Sequence, residues 1–128
     1  MAYLLDTHAL IWWWEEDPRL GESAARLMNR RAEPIFVSAV SGLEIAIKVR
    51  LGKLPNMAKA ISEYPSNVGN DGFSHLAIEP AHARAGGLLP GPHRDPFDRV
   101  LAAQALLGGL TMLSRDPCFA AFGCAVLW

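Results

Sequence analysis

Ala2-Tyr3-Leu4-Leu5-Asp6-Thr7-His8-Ala9-Leu10 is the stretch on which the fold turns. Ala2 to Leu5 is a short apolar run stopped by a carboxylate, the pattern of a buried strand. A helix over 7–14 follows at once, and Glu15-Glu16-Asp17-Pro18 ends it. The same alternation repeats downstream. Residues 23–31 have helical composition, with Ala24, Leu27 and Met28 on one face, and Ile35-Phe36-Val37 reads as a second buried strand. Over 41–51 the apolar period is mixed. Length and the start signal Ser41-Gly42-Leu43-Glu44 favour a helix that Gly52 closes.

Further on, a short helix is expected over 57–64, a turn-rich loop over 65–72 and a strand over 73–78. Pro80 opens a helix through Ala85, and residues 86–96, rich in glycine and proline, read as a surface loop. Residues 96–107 form a strong helix stopped by Gly108-Gly109. Strands over 111–113 and 125–128 complete the series. Strands alternating with helices predict an α/β chain, a three-layer α/β/α sandwich around a central, mostly parallel sheet. Right-handed crossovers bring the strand ends to a common edge, and ligands of such sheets bind outside the carboxyl ends.

The chain has 128 residues, 51% hydrophobic and 20% charged, which suits one domain over 1–128 and excludes disorder for most of it. No apolar run approaches the ~18 residues of a membrane span. The N-terminal stretch lacks a basic segment and carries Asp6 in its apolar part, so no signal peptide and a cytoplasmic location are expected. Cys118 and Cys124 are too few for a disulfide framework and are expected as reduced, partly buried thiols. Twelve Lys+Arg against thirteen Asp+Glu give a net charge of −1. That balance excludes coating nucleic acid by bulk charge and leaves a local site open. No GxGxxG follows the first strand, which argues against a dinucleotide site.

Placement of the acids is more telling than their number. Asp6 follows the first strand and Asp116 lies three residues past Leu113. Glu44 is expected in the first turn of the helix after the second strand, Asp98 in the first turn of the helix near Pro96, and Asp95 just before it. Each has an ordinary structural role to play: Asp6 as a helix N-cap, Glu44 in a capping box with Ser41 or paired with Lys48, Asp95 and Asp98 at a positive helix end, Asp116 as a turn residue. Together they converge on one rim. Two like charges about 5 Å apart repel by roughly 3 kcal/mol at an effective dielectric near 20, so four unneutralised carboxylates would cost on the order of 10–20 kcal/mol. Convergence therefore demands protonation or a bound cation. Oxygen ligands without His or Cys at zinc spacing point to Mg²⁺ or Mn²⁺, metals suited to phosphoryl chemistry.

Four blocks carry a resemblance. Leu4-Leu5-Asp6-Thr7-His8-Ala9-Leu10, Ser38-Ala39-Val40-Ser41-Gly42-Leu43-Glu44, Asp95-Pro96-Phe97-Asp98-Arg99 with the residues through Ala105, and Leu110-Thr111-Met112-Leu113-Ser114-Arg115-Asp116 resemble the PIN-domain ribonucleases, closest to the VapC-type toxins of toxin–antitoxin pairs. The resemblance implies an α/β/α sandwich, usually dimeric, inhibited by a cognate antitoxin that covers the site. It implies that Asp6, Glu44, Asp98 and Asp116 are the metal-binding and catalytic acids, with Asp6 and Asp98 the favoured direct ligands. Asp95, Thr7 and Ser114 would support them. The implied reaction is hydrolysis of RNA by metal-activated water, leaving a 5′-phosphate.

Arg94, Arg99 and Arg115 flank the acids, either to contact substrate phosphates or to pair with Asp95, Asp98 or Asp116. Arg30, Arg31, Lys48, Arg50 and Lys53 form either a basic rim for RNA or a solvated face. His8 and His93 fall near the rim, with a packing or hydrogen-bonding role favoured over proton shuttling; His75 and His82 carry no functional signal. Trp12-Trp13-Trp14 cannot all face one core, so at least one indole is expected at the surface, where an antitoxin or dimer contact is favoured. The competing function is a catalytically silent module of the same fold that binds protein or RNA. A phosphoacceptor domain fits poorly, since a single Asp6 follows the first strand and no Lys follows Lys59.

Overall fold

The computed structural model describes residues 1–128. Five strands, β1 (Tyr3–Leu5), β2 (Ile35–Ser38), β3 (Ser74–Leu76), β4 (Thr111–Leu113) and β5 (Val126–Leu127), form one sheet in the order β3-β2-β1-β4-β5. Every pairing is parallel. The helices are α1 (Thr7–Glu15), α2 (Glu22–Arg30), α3 (Ala39–Arg50), α4 (Ala58–Ser62), α5 (Tyr64–Asn70), α6 (Pro80–Leu88), α7 (Pro96–Gly108) and α8 (Pro117–Ala121), with a 3₁₀ turn over Pro55–Met57.

Strand alternation builds two cores. Tyr3, Leu5, Ile35, Val37 and Leu113 point into one with Leu10, Trp12, Met28, Ile45 and Val68. Leu4 and Met112 point into the other with Leu101, Ala105 and Phe119. Successive side chains of a strand leave on opposite faces, so both faces of this sheet are covered, and the expected three-layer α/β/α architecture is the one observed.

Chain direction across the sheet reverses between β1 and β4: β2 and β3 are added on one side of β1, β4 and β5 on the other. This is the topological switch point, where the loops after the two strands diverge and open a crevice. Leu5 is in register with Leu113, and the Asp6 N–H donates to the Leu113 carbonyl at 3.2 Å, so Asp6 and the Ser114-Arg115-Asp116 turn share that crevice.

Several local expectations are corrected. The loop expected over 65–72 contains α5, because Pro65 in its first turn has no N–H to leave unpaired. Gly72, at φ +83°, turns the chain out of that helix toward β3. The helix expected over 57–64 is instead the 3₁₀ turn and α4. α3 starts two residues earlier than expected, capped by Ser38 accepting from the Val40 N–H, so Ser41 forms no capping box and Glu44 lies in the second turn. α6 runs on into the expected 86–96 loop, where Gly86 brings it against the α7 backbone; a Cβ there would sit 3.0 Å from the Arg99 carbonyl oxygen. α8 occupies a stretch where the sequence reading has only a turn at Asp116, with Asp116-Pro117 as its start signal.

The indole run is shared between core and surface. Trp12 is buried between core and surface, edge-on to Trp128, while Trp13 packs on Phe73 and Trp14 donates to the Asp71 carboxylate at 3.1 Å. All three belong to or pack on the first core. Trp13 and Trp14 nevertheless stay half-buried and line a surface pocket with Trp12, so part of the run is at the surface as expected.

Candidate active site

Asp6, at the carboxyl end of β1, caps α1 by accepting from the Ala9 N–H at 2.7 Å. Its other oxygen accepts a short hydrogen bond from the Ser114 hydroxyl, which itself accepts from the Asp116 N–H at 3.0 Å. Ser114 thus ties the ends of β1 and β4 together through its side chain. Asp116 caps α8 through the Cys118 N–H at 2.9 Å. Asp95 caps α7 through the Phe97 and Asp98 N–H groups at 2.8 and 3.4 Å. Three of the acids therefore cap helices; Asp95 and Asp116 each keep one oxygen free of these bonds, while both oxygens of Asp6 are engaged.

Glu44 has no capping role. It is 4% exposed; Oε2 receives the Lys48 ammonium at 2.7 Å, while Oε1 is buried without any hydrogen-bond partner. An orphaned carboxylate oxygen is costly in a folded protein and marks a place where a ligand would relieve it. Asp98 accepts from or donates to His93 Nε2 at 2.8 Å, according to the protonation of the pair. Burial pushes the Asp98 carboxyl up to about 6 against the lowering effect of His93, with the charges of Asp95, Asp116 and Glu44 adding to the rise. Burial also raises Asp6, opposed by its bonds to Ser114 and Ala9, with Asp116 raising it further. Like charges and desolvation thus bear on this rim, offset at Glu44 by the Lys48 ammonium.

The acids lie within reach of one another's charge but are not drawn tight. The three metal-competent side chains whose donor atoms lie within 4.8 Å of one another are His93, Asp98 and Cys118, not three of the acids. The donors themselves, carboxylate oxygens with an orphan among them, fit a hard divalent cation such as Mg²⁺. Thr7 bonds to Ser41 at 3.0 Å, linking the first turn of α1 to α3 beside Glu44.

Of the flanking arginines, Arg99 is corrected. It pairs with none of the acids and instead donates to the backbone carbonyls of Gly86, Leu89 and His93, bracing the loop that leads into α7. Arg115 is exposed and lies over the Trp12 ring, 4.6 Å from its centroid, with Arg19 4.9 Å from the same ring. A groove of about 620 Å³ runs from Asp6 and Asp116 past His8, Arg19, Lys48 and Arg115. Neither Arg19 nor Cys118 stood out in the sequence; both come to the rim through turns whose direction only the folded backbone sets.

The PIN domain family model matches residues 3–123. The chain belongs to the PIN domain family. Ribonuclease VapC22 of Mycobacterium tuberculosis (strain ATCC 25618 / H37Rv) is 28% identical to this PIN domain over 121 residues, covering 88% of this chain and 85% of that one. Among solved structures, VapBC2 from Rickettsia felis bound to a DNA fragment from its promoter has TM-score 0.72 at 14% identity, covering 99% of this chain and 98% of the other. FitAcB from Neisseria gonorrhoeae has TM-score 0.71 at 21% identity, over 100% and 97%. A toxin–antitoxin complex from Klebsiella pneumoniae has TM-score 0.65 at 19% identity, over 98% and 96%. These structures share the fold of this PIN domain. None of its helices is long and apolar enough to cross a membrane.

Proposed function

We propose that this PIN domain is an endoribonuclease dependent on Mg²⁺ or Mn²⁺ and the toxin of a toxin–antitoxin pair. The observation that carries the reading is the buried, unpartnered oxygen of Glu44, an acid whose charge, with that of Asp116, bears on Asp98. A silent binding module has no use for a buried carboxylate oxygen left without a partner among further acids. The likeness to a ribonuclease and to toxin–antitoxin complexes supports the same reading.

Asp6, Glu44, Asp98 and Asp116 would hold the cation. When bound, it polarises a phosphate oxygen and lowers the pKa of water at the site. The protein's own part is positioning. Ser114 orients Asp6 and reaches the Asp116 backbone, so the acids of β1 and β4 are set as a unit. His93 fixes one Asp98 oxygen, and Asp95 holds the helix that carries it. Arg115, braced on Trp12 in the groove beside Asp6, would bind a phosphate flanking the scissile one. In the reaction the water oxygen joins phosphorus as the P–O3′ bond breaks, leaving a 5′-phosphate and a 3′-hydroxyl. The 2′-hydroxyl is not needed as nucleophile, so preference for RNA comes from binding.

A cognate antitoxin would cover this rim, the toxin would act as a homodimer over a single domain of 1–128, and its RNA substrate would be met in the cytoplasm. Cleavage of RNA by the purified protein, with Mg²⁺ or Mn²⁺ and with a chelator, tests the enzyme. Activity lost with chelator and in Asp6→Asn supports it; equal cleavage by Asp6→Asn, or none by wild type freed from any partner, overturns it. Growth arrest on expression, relieved by the same substitution, tests the toxin role.

A further inference from the structure

We propose that His93, Asp98 and Cys118 form a second cation site, selective for a thiophilic divalent ion, with Zn²⁺ as its occupant. The three side chains come from three segments: the loop before α7, the first turn of α7 and the first turn of α8. Their donor atoms, Nε2 or Nδ1, a carboxylate oxygen and Sγ, lie within 4.8 Å of one another. Zinc bonds of about 2.0–2.3 Å in a tetrahedron set ligand atoms about 3.3–3.6 Å apart, so adjustments of about an ångström complete the site. His93 Nε2 and Asp98 Oδ2 are already 2.8 Å apart and need only part slightly.

The site is built as well as close. The Arg99 guanidinium grips the His93 backbone carbonyl, and the His93 ring stands edge-on to Phe122 at 5.8 Å, so main chain and ring are each held. His93, Asp116 and Cys118 line one surface cavity of about 480 Å³ with Pro90, Pro92 and Phe122. An ion reaches the thiol through that cavity, and the fourth position falls to water. Nitrogen and sulfur donors favour Zn²⁺ strongly over Mg²⁺, which takes oxygen ligands and sheds its water reluctantly. Binding forms the metal–sulfur bond as the thiol proton passes to buffer. Because Asp98 also belongs to the acidic rim, zinc would draw it away from that rim and antagonise magnesium-dependent cleavage; this consequence, unlike the binding itself, rests on the nuclease reading.

Titrating the full chain with Co²⁺ reads the site directly. One equivalent should produce a thiolate-to-cobalt charge-transfer band and the visible bands of four-coordinate cobalt, both removed by one equivalent of Zn²⁺. Cys118→Ser should abolish the charge-transfer band and Cys124→Ser should keep it. Zinc affinity should fall by more than about 100-fold in Cys118→Ser and in His93→Gln, since losing even a group that only supports a ligand costs about 10–100-fold. Absence of the band in wild type, or its survival in Cys118→Ser, overturns the site. In the second arm, zinc should suppress magnesium-driven RNA cleavage by wild type at far lower concentration than by Cys118→Ser. Cleavage equally zinc-sensitive in both overturns the antagonism. A cobalt band without any cleavage under magnesium sinks the nuclease reading and leaves the zinc site standing.

Discussion

Replacing Asp98 by Asn should stabilise the metal-free protein near neutral pH while removing its nuclease activity. The folded Asp98 carboxyl titrates at about 6 instead of 3.8, chiefly because of burial, and its side chain is 19% exposed. Holding it ionised in the fold above both values costs roughly 3 kcal/mol as a ceiling. The net gain for Asn is smaller. Residual solvent screens the charge, and its attraction to the α7 N-terminus, about 0.3–1 kcal/mol, is lost. Asn keeps a partner for His93, so the expected gain is about 1–2 kcal/mol, or roughly 4–8 °C in Tm for a chain of this size.

The pH dependence carries the sign. A carboxyl raised in the fold contributes stability in full below its unfolded value and loses it as pH climbs through about 6. The advantage of Asp98→Asn should therefore be large near pH ~7.5 and mostly gone near pH ~4.5. Thermal unfolding followed by circular dichroism in chelator, at both pH values, measures it. Saturating Mg²⁺, at about 100 times Kd, should then raise wild type by about 2.7 kcal/mol and leave Asp98→Asn unmoved. A variant less stable than wild type near neutral pH, or a difference that ignores pH, would refute the account of the rim as a desolvated anionic cluster.

Other residues give independent checks. Ser114→Ala removes the hydroxyl that joins Asp6 to the Asp116 N–H, and should destabilise by about 1–3 kcal/mol and weaken Mg²⁺ binding, read by denaturant unfolding and metal titration. Arg99→Lys keeps the charge but cannot reach the Gly86, Leu89 and His93 carbonyls together; about 2–3 kcal/mol should be lost in urea unfolding, and a loss under ~0.5 kcal/mol would contradict the brace. Arg115→Ala should raise KM for RNA with kcat little changed, and lower the salt dependence of binding by about one phosphate contact. A kcat loss without a KM change would remove Arg115 from substrate binding.

Much of the fold was legible because its signals are local. The short, mostly apolar strands β1, β2 and β4 and the helix α7, with Pro96 at its start and Gly109 beyond its end, are read from neighbours in sequence. Where the structure departs from expectation, the deciding contact is distant or the punctuation ambiguous. Pro65 marks a helix start as readily as a turn, and its role depends on Val68 finding the core. For Trp12-Trp13-Trp14 helix geometry already requires that part of the run reach the surface, but not that Trp128, Phe73 and Asp71 are the neighbours that partly cover it.

The sequence by itself determined that strands alternate with helices and that acids stand at strand ends and helix starts, because both follow from period, composition and capping within a few residues. Only the tertiary structure decided which acids share an environment. β4 lies beside β1 although 108 residues separate Ser114 from Asp6, and that pairing makes the crevice. It also decided that Glu44 keeps an unpartnered oxygen, that Arg99 serves the backbone and that Cys118 comes beside His93. Burial and the field of neighbouring charges are properties of assembled surfaces, and no window of the chain contains them.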